Sequence, residues 1–213
     1  MKSRPEIKAL AKEAMSQQRG ASILTLLVVW LIATVGGILG GIPFLGVIIV
    51  WGTAFFIDFP LIVNMEGVYI KIYNRIATGV GEIFSNFSVN YLRKVGGMCW
   101  MTLFIYLWSL LFVIPGIVKT FAYSMTPYIL ADCPNVDAKQ ALKLSMRMTN
   151  GYKAELFIMS LSFIGWLLLS ALTFGILWIV YVGPYMYTTW AGYYLELRDR
   201  ALASGTVEQW ELE

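Results

Sequence analysis

The sequence predicts an all-α protein: a polytopic membrane helical bundle of about six transmembrane helices, built as a single membrane domain over residues 1–213. Three observations predict it. The chain is 58% hydrophobic and only 14% charged, where a soluble domain carries about a quarter charged residues. Its mean hydropathy is +0.68, and several apolar stretches approach or exceed the ~20 residues that cross ~30 Å of hydrocarbon. All but two of the charged residues gather in four blocks, residues 1–20, 66–94, 132–155 and the tail from 196; the outliers are Asp58 and Lys119.

The first element, residues 1–19, opens MKSRPEIKALAKEAM. Ser3 and Glu6 stand at capping-box spacing with Pro5 in the first turn. Ile7, Leu10, Ala14 and Met15 then recur at helical spacing with lysines opposite, which reads as an amphipathic helix lying on the membrane surface.

Span 1 follows at about Ala21–Leu39. A basic leader before an apolar run also fits a signal peptide, but no A-x-A site follows and further spans come after, so a retained anchor is expected. The uncharged GGILGGIPFLG is a turn, and its Gly36/Gly40 and Gly37/Gly41 pairs allow close helix approach. Span 2 covers about Phe44–Met65, span 3 about Val95–Ile114 and span 4 about Ile117–Ala131, with a hinge at Pro115 and Gly116. Span 4 is short, so a tilted or re-entrant arm is an open alternative. Residues 136–150 form an interfacial helix that offers Lys139, Lys143 and Arg147 to anionic headgroups. Asp137 with Gln140 resembles a capping box, and Asn150-Gly151 is a helix stop. Span 5 covers about Ala154–Thr173, TFG turns the chain, and span 6 covers about Ile176–Leu195 before the tail, residues 196–213.

Six spans place both termini and the loops after spans 2 and 4 on one side, and these are the four charged blocks. The positive-inside rule then puts that side in the cytoplasm.

Chemistry is sparse. There is no histidine, hence no histidine general base, no H-E-x-x-H zinc site and no Ser-His-Asp triad. No Walker or Rossmann glycine pattern occurs. No catalytic residue, metal or cofactor is expected, nor a nucleic-acid partner, and the chain reads as not an enzyme. Cys99 and Cys133 read as reduced, unreactive thiols.

Asp58 and Lys119 are the candidate intramembrane polar residues. At ~1.5 Å per residue they lie at depths differing by about 15 Å, whereas an ion pair needs about 4 Å. Asp58 before Phe59-Pro60 reads better as the cap of a new helix, with an ion or substrate role as the alternative. Span 6 carries a candidate aromatic ligand surface, Trp178, Tyr181 and Tyr185. Pro184 frees backbone carbonyls there that the hydroxyls of Thr188 or Thr189 are placed to satisfy. The competing reading is a kinked helix in a packed bundle.

The stretches LWSLLFVIPGIVK, YSMTPYILAD, A-L-x-x-S followed by a glycine, LSFIGW and the closing PY…Y together resemble the bacterial membrane-protein family called domain of unknown function 975, across roughly residues 84–197. The resemblance implies a multi-pass protein of the bacterial cytoplasmic membrane. It brings no activity and no functional residue. The expected function is a non-enzymatic membrane component that binds lipid or a membrane-protein partner. The alternative is a small transporter, exporter or self-protection protein for peptides or amphiphiles. An intramembrane enzyme ranks last.

Overall fold

A computed structural model describes residues 2–43 and 45–213. Phe44, the expected start of span 2, and Met1 lie outside the described residues. The fold is all-helical. Helix α1 (Arg4–Gln17) leads into α2 (Arg19–Leu39). A long helix follows, made of α3 (Gly46–Thr53), a π-helical turn (Ala54–Asp58) and α4 (Phe59–Tyr73). A short α5 (Gly81–Ser85) precedes α6 (Tyr91–Leu111), α7 (Val113–Tyr123) and α8 (Thr126–Asp132). Then come α9 (Ala138–Met148), α10 (Lys153–Leu161) and α11 (Ile164–Leu172). A second π turn (Trp178–Val182) opens α12 (Gly183–Ala203).

Among the described residues, four helices are long and apolar enough to cross a membrane: Arg19–Leu39, Gly46–Tyr73, Tyr91–Leu111 and Lys153–Leu172. They match spans 1, 2, 3 and 5. Span 2 runs eight residues further than expected, to Tyr73, and span 3 starts four earlier, at Tyr91. The stretch expected as span 4 is broken between α7 and α8, and span 6 is the second π turn with the first part of α12.

The four charged blocks meet at one end of the molecule. Lys2 pairs with Glu196 at 2.7 Å and Glu13 with Arg75 at 3.0 Å. Asp132 pairs with Arg198 at 2.6 Å and Arg147 with Glu211 at 2.5 Å. Exposed pairs such as Glu13–Arg75 stabilise little, but together they show that the chain returns to this end after each hairpin.

The core sits at that charged end. Ile7, Ala11, Leu61, Val63, Tyr69, Ile72, Ile129, Leu144 and Tyr193 are all fully enclosed. Helix α1 therefore packs its apolar face on α4 and α12, where the sequence alone pointed it at a membrane. Gly192 allows this approach: a Cβ there would lie 2.4 Å from the Tyr73 ring and 3.0 Å from Ile7. The Ser3 amide donates to Glu6 at 2.7 Å, closing the expected cap.

The far end is the reverse. Leu45, Ile48, Leu111, Phe112, Leu172 and Phe174 are all exposed apolar side chains at or near hairpin tips. The tip after α11 turns through positive φ at Phe174 and Gly175, where TFG was expected to turn. Of the small-residue pairs, Gly36 abuts Thr53 and Gly40 abuts Val50, whereas Gly37 meets nothing within 4 Å.

The hinge between α6 and α7 is displaced from its expected place. The chain reverses at Phe112, in extended conformation (φ −157°, ψ 145°). Pro115 and Gly116 lie in the first turn of α7, where a proline's missing N–H costs nothing. Gly116 is needed for contact: a Cβ would come within 2.4 Å of the Ser109 hydroxyl on α6.

Candidate functional site

Three helices restart at a proline: α4 at Phe59-Pro60, α8 at Thr126-Pro127 and α12 at Gly183-Pro184. In α4 and α12 the restart has the same form. A five-residue π turn ends two residues before the proline, and the intervening residue donates its N–H five residues back, Phe59 to Ala54 and Gly183 to Trp178. Such a defect leaves backbone groups short of partners, and at α4 and at the α7–α8 break side chains from neighbouring helices supply them. Pro60 has no N–H for the Phe56 carbonyl, and the Tyr91 hydroxyl donates to it at 2.6 Å. At the α7–α8 break, Ser145 of α9 accepts from the Met125 N–H at 3.2 Å and donates to the Ala122 carbonyl at 2.8 Å, with Thr149 adding a bond to the same carbonyl at 3.2 Å. This is the physical work of the serine in A-L-x-x-S. Arg93 closes the end of α8 by donating to the Leu130, Cys133 and Val136 carbonyls at 2.5, 2.9 and 2.6 Å.

The three restarted helices pack together through stacked tyrosines, Tyr69 on Tyr187 (5.3 Å) and Tyr128 on Tyr194 (5.6 Å). Glu66 of α4 lies among them, 4% exposed. Tyr69, Tyr128 and Tyr187 surround it, with the Tyr128 phenol facing its carboxyl. Its Oε2 is buried without a hydrogen-bond partner. Glu66 also lines a cavity of about 350 Å³, walled by Met101, Phe121, Tyr128, Tyr187 and Trp190. Only Thr120, Ser124 and Ser160 add further polar side chains besides the tyrosine hydroxyls and the indole N–H. The arrangement is an apolar, aromatic recess with one carboxyl in its wall. It offers a hydrogen-bond acceptor and aromatic faces, a combination that suits a donor or cation attached to an apolar body.

The residues singled out from the sequence lie elsewhere. Asp58 does not cap a free helix end: it is the last residue of the first π turn, has helical φ and ψ (−69°, −39°), and its side chain makes no cap bond, because the π turn leads into α4 with no non-helical residue between them. Lys119 forms no ion pair with it. Its ammonium lies 5.0 Å from the Trp108 ring centre, 5.5 Å from that of Tyr123 and 3.8 Å from the Met146 sulfur on α9. It thus reaches across to α9 and does not extend outward past the hairpin tip.

Trp178, Tyr181 and Tyr185 are absorbed in packing: Trp178 on Tyr187, Tyr181 on Trp166, Tyr185 on Phe163. The cavity uses Tyr187 and Trp190, one to two turns further along. Thr188 and Thr189 bond their own carbonyls four residues back, those of Pro184 and Tyr185, both at 2.7 Å, and so do not serve the carbonyls upstream of the proline.

On α9, Lys139 lies 4.9 Å from the Trp100 ring centre and Lys143 is exposed. Arg147 is tied to the tail through Glu211 and the Thr206 carbonyl, and Glu211 keeps its guanidinium above the usual arginine range. Only two of the three expected headgroup contacts are therefore unpaired with carboxylates. Asp137 holds the expected N-cap position without a side-chain cap bond, and Gln140 turns to the Glu211 carbonyl at 3.4 Å. Cys133 is buried, and burial with the nearby Asp132 charge pushes its thiol up to about 11.

Glu66 was missed because it opens a charged block that the sequence places outside the bundle. The signal that finds it is the mostly apolar helix on both sides, Pro60–Met65 and Val68–Ile72, interrupted by Asn64 and Lys71, in which nearly every residue is buried.

Residues 95–201 match the family described as Protein of unknown function (DUF975). The chain belongs to that family. The matched region holds α7, α8, α9 and most of α12, and with them Tyr128, Ser145, Tyr187 and Trp190; Glu66 lies before it. No curated protein and no solved structure matches the chain.

Proposed function

We propose that this DUF975 member is a non-enzymatic, multi-pass component of a bacterial cytoplasmic membrane that binds a single amphiphile with an amine or ammonium head. The observation that carries the reading is the unpaired Glu66 oxygen in the wall of an aromatic recess. A buried acceptor left alone costs about 1–3 kcal/mol, and a donor on a bound molecule removes that cost. Tyr187 and Trp190 give such a head aromatic faces, and the apolar remainder of the wall takes its chain.

The return of all four charged blocks to one end supports three hairpins and six crossings, with both termini in the cytoplasm. In that reading α7–α8 and the helix over residues 178–203 are the fourth and sixth crossings, broken or kinked in the way bundles tolerate where neighbours re-satisfy the backbone.

Native mass spectrometry tests the binding. Wild-type protein released from its own membrane in a mild detergent retains one amphiphile with an amine or ammonium head. Glu66→Gln lowers retention about ten-fold or more, the loss of a charge-assisted hydrogen bond. Equal retention by both proteins contradicts the proposal.

A further inference from the structure

A second cavity, of about 360 Å³, opens at the charged end between α4, α5, α6 and α8. Its electrostatics are opposite to those around Glu66. Lys94 of α6 lines it and is 5% exposed. Two of the three N–H groups of its ammonium are used, donating to Asn64 Oδ1 and to the Asn86 carbonyl, both at 2.6 Å. Both acceptors are neutral.

No carboxylate lies within ion-pair distance of Lys94 among the described residues, and the acids that share the cavity are engaged. Glu82 is paired with Lys71, and Asp132 with Arg198 at 2.6 Å. Arg93, the adjacent cation, gives both terminal nitrogens to three carbonyls, and its Nε is buried without a partner. The Asn64 amide donates away from the cavity's centre, to the Ile83 carbonyl at 2.7 Å. A positive charge held this far from water needs an opposite charge beside it, and none of the described residues provides one.

We infer that the Lys94 cavity is a binding site for a phosphate group, with the third N–H of Lys94 as its donor and Lys71, which stays paired with Glu82, as a second cation in the wall. A tetrahedral dianion or a phosphodiester supplies the missing negative charge and accepts several hydrogen bonds at once. The position at the charged end, under helices that lead into apolar spans, makes a phospholipid headgroup and a free phosphate ester the two sources. The site is separate from the Glu66 recess and does not depend on what that recess binds.

The test uses full-length protein in nanodiscs, with bound lipid counted by native mass spectrometry after mixing phosphatidylglycerol into phosphatidylcholine. Wild type holds a tightly bound phosphatidylglycerol, and Lys94→Met weakens it about ten-fold or more. Lys94→Arg restores most of the binding, and Lys139→Ala with Lys143→Ala changes only loosely held lipid.

Inorganic phosphate and glycerol phosphate are added as competitors. Displacement of the lipid assigns the site to the phosphate group itself, and saturation by soluble phosphate without lipid binding assigns it to a free ester. If Lys94→Met does not fold, Asn64→Asp decides. It keeps an acceptor on Lys94 and adds the absent carboxylate, at the loss of the Asn64 bond to the Ile83 carbonyl, and is expected to expel the anion from a folded protein. Unchanged binding of both lipid and phosphate in Lys94→Met, or in Asn64→Asp, overturns the site and leaves Lys94 as a strut between α6 and the loop at Asn86.

Discussion

The two ends of this molecule obey different solvents. At the charged end, α1 and the inner parts of α4, α8, α9 and α12 bury Ile7, Leu61, Tyr69, Ile129 and Leu144 completely. At the other end, Ile38, Val47, Leu110, Leu168 and Leu172 stay exposed although they are as apolar as any core residue. Water at the first end drives apolar side chains together. Hydrocarbon at the second gives no such drive, so helices there meet through small residues and shape. What the contrast teaches is that hydrophobicity alone does not locate this protein's core. The core lies where polar residues are most frequent, and both cavities that carry a buried charged residue lie against it.

The contrast can be broken most forcefully by overpacking the base. Gly192→Leu drives a side chain into Tyr73 and Ile7 and is expected to cost about 3 kcal/mol. Leu168→Ala at the apolar end is expected to change stability by no more than about 0.5 kcal/mol. Thermal unfolding in detergent, read by circular dichroism, checks the pair, and similar losses would dissolve the distinction.

The helix breaks come next. Ser145→Ala strands the Met125 N–H inside the base and is expected to cost about 1–3 kcal/mol. Tyr91→Phe withdraws the hydroxyl from Phe56, nearer the apolar end, and is expected to cost about 1 kcal/mol. Hydrogen exchange around residues 122–126 and 54–60 shows which break has loosened. The base also shields Cys133, so maleimide at neutral pH labels it only after unfolding.

The smallest effect is at the tail. The Arg147 side chain, through its hydrogen bond and charge, holds the Glu211 carboxyl below its ordinary 4.5. A depressed carboxylate stabilises the folded state above its unfolded value and loses that contribution as pH falls through the lower folded one. The tail contact is therefore expected to be complete above about pH 4.5 and to fade below it. Amide exchange over residues 206–213 follows the release, and Glu211→Gln removes its pH dependence.

The apolar end was the more legible from sequence. Long uncharged runs and TFG give span and turn directly, because lipid imposes length and composition on each helix separately. The charged end was less legible, because there the decisive facts are relations between helices. That α1 covers α12, that Ser145 repairs a break twenty residues earlier, and that Arg93 closes α8 are long-range facts with no local pattern. Glu66 and Lys94 were hidden for a related reason. Each stands in a charged block, and reading that block as solvated conceals its one or two members that fold inward. Pro60, Pro127 and Pro184 were visible, but the packing of Tyr69, Tyr128 and Tyr187, from the helices those prolines begin, around Glu66 needed three dimensions.

The recess itself is tested most directly by fluorescence of Trp190, in a variant that keeps only this tryptophan, reconstituted in nanodiscs. Brominated alkylammonium amphiphiles are expected to quench it saturably, at a stoichiometry of about one, while brominated anionic analogues quench weakly and Glu66→Gln abolishes the saturable phase. Quenching that rises linearly and equally for every headgroup, unchanged in Glu66→Gln, would mean that Trp190 meets only bulk lipid, and would contradict the account.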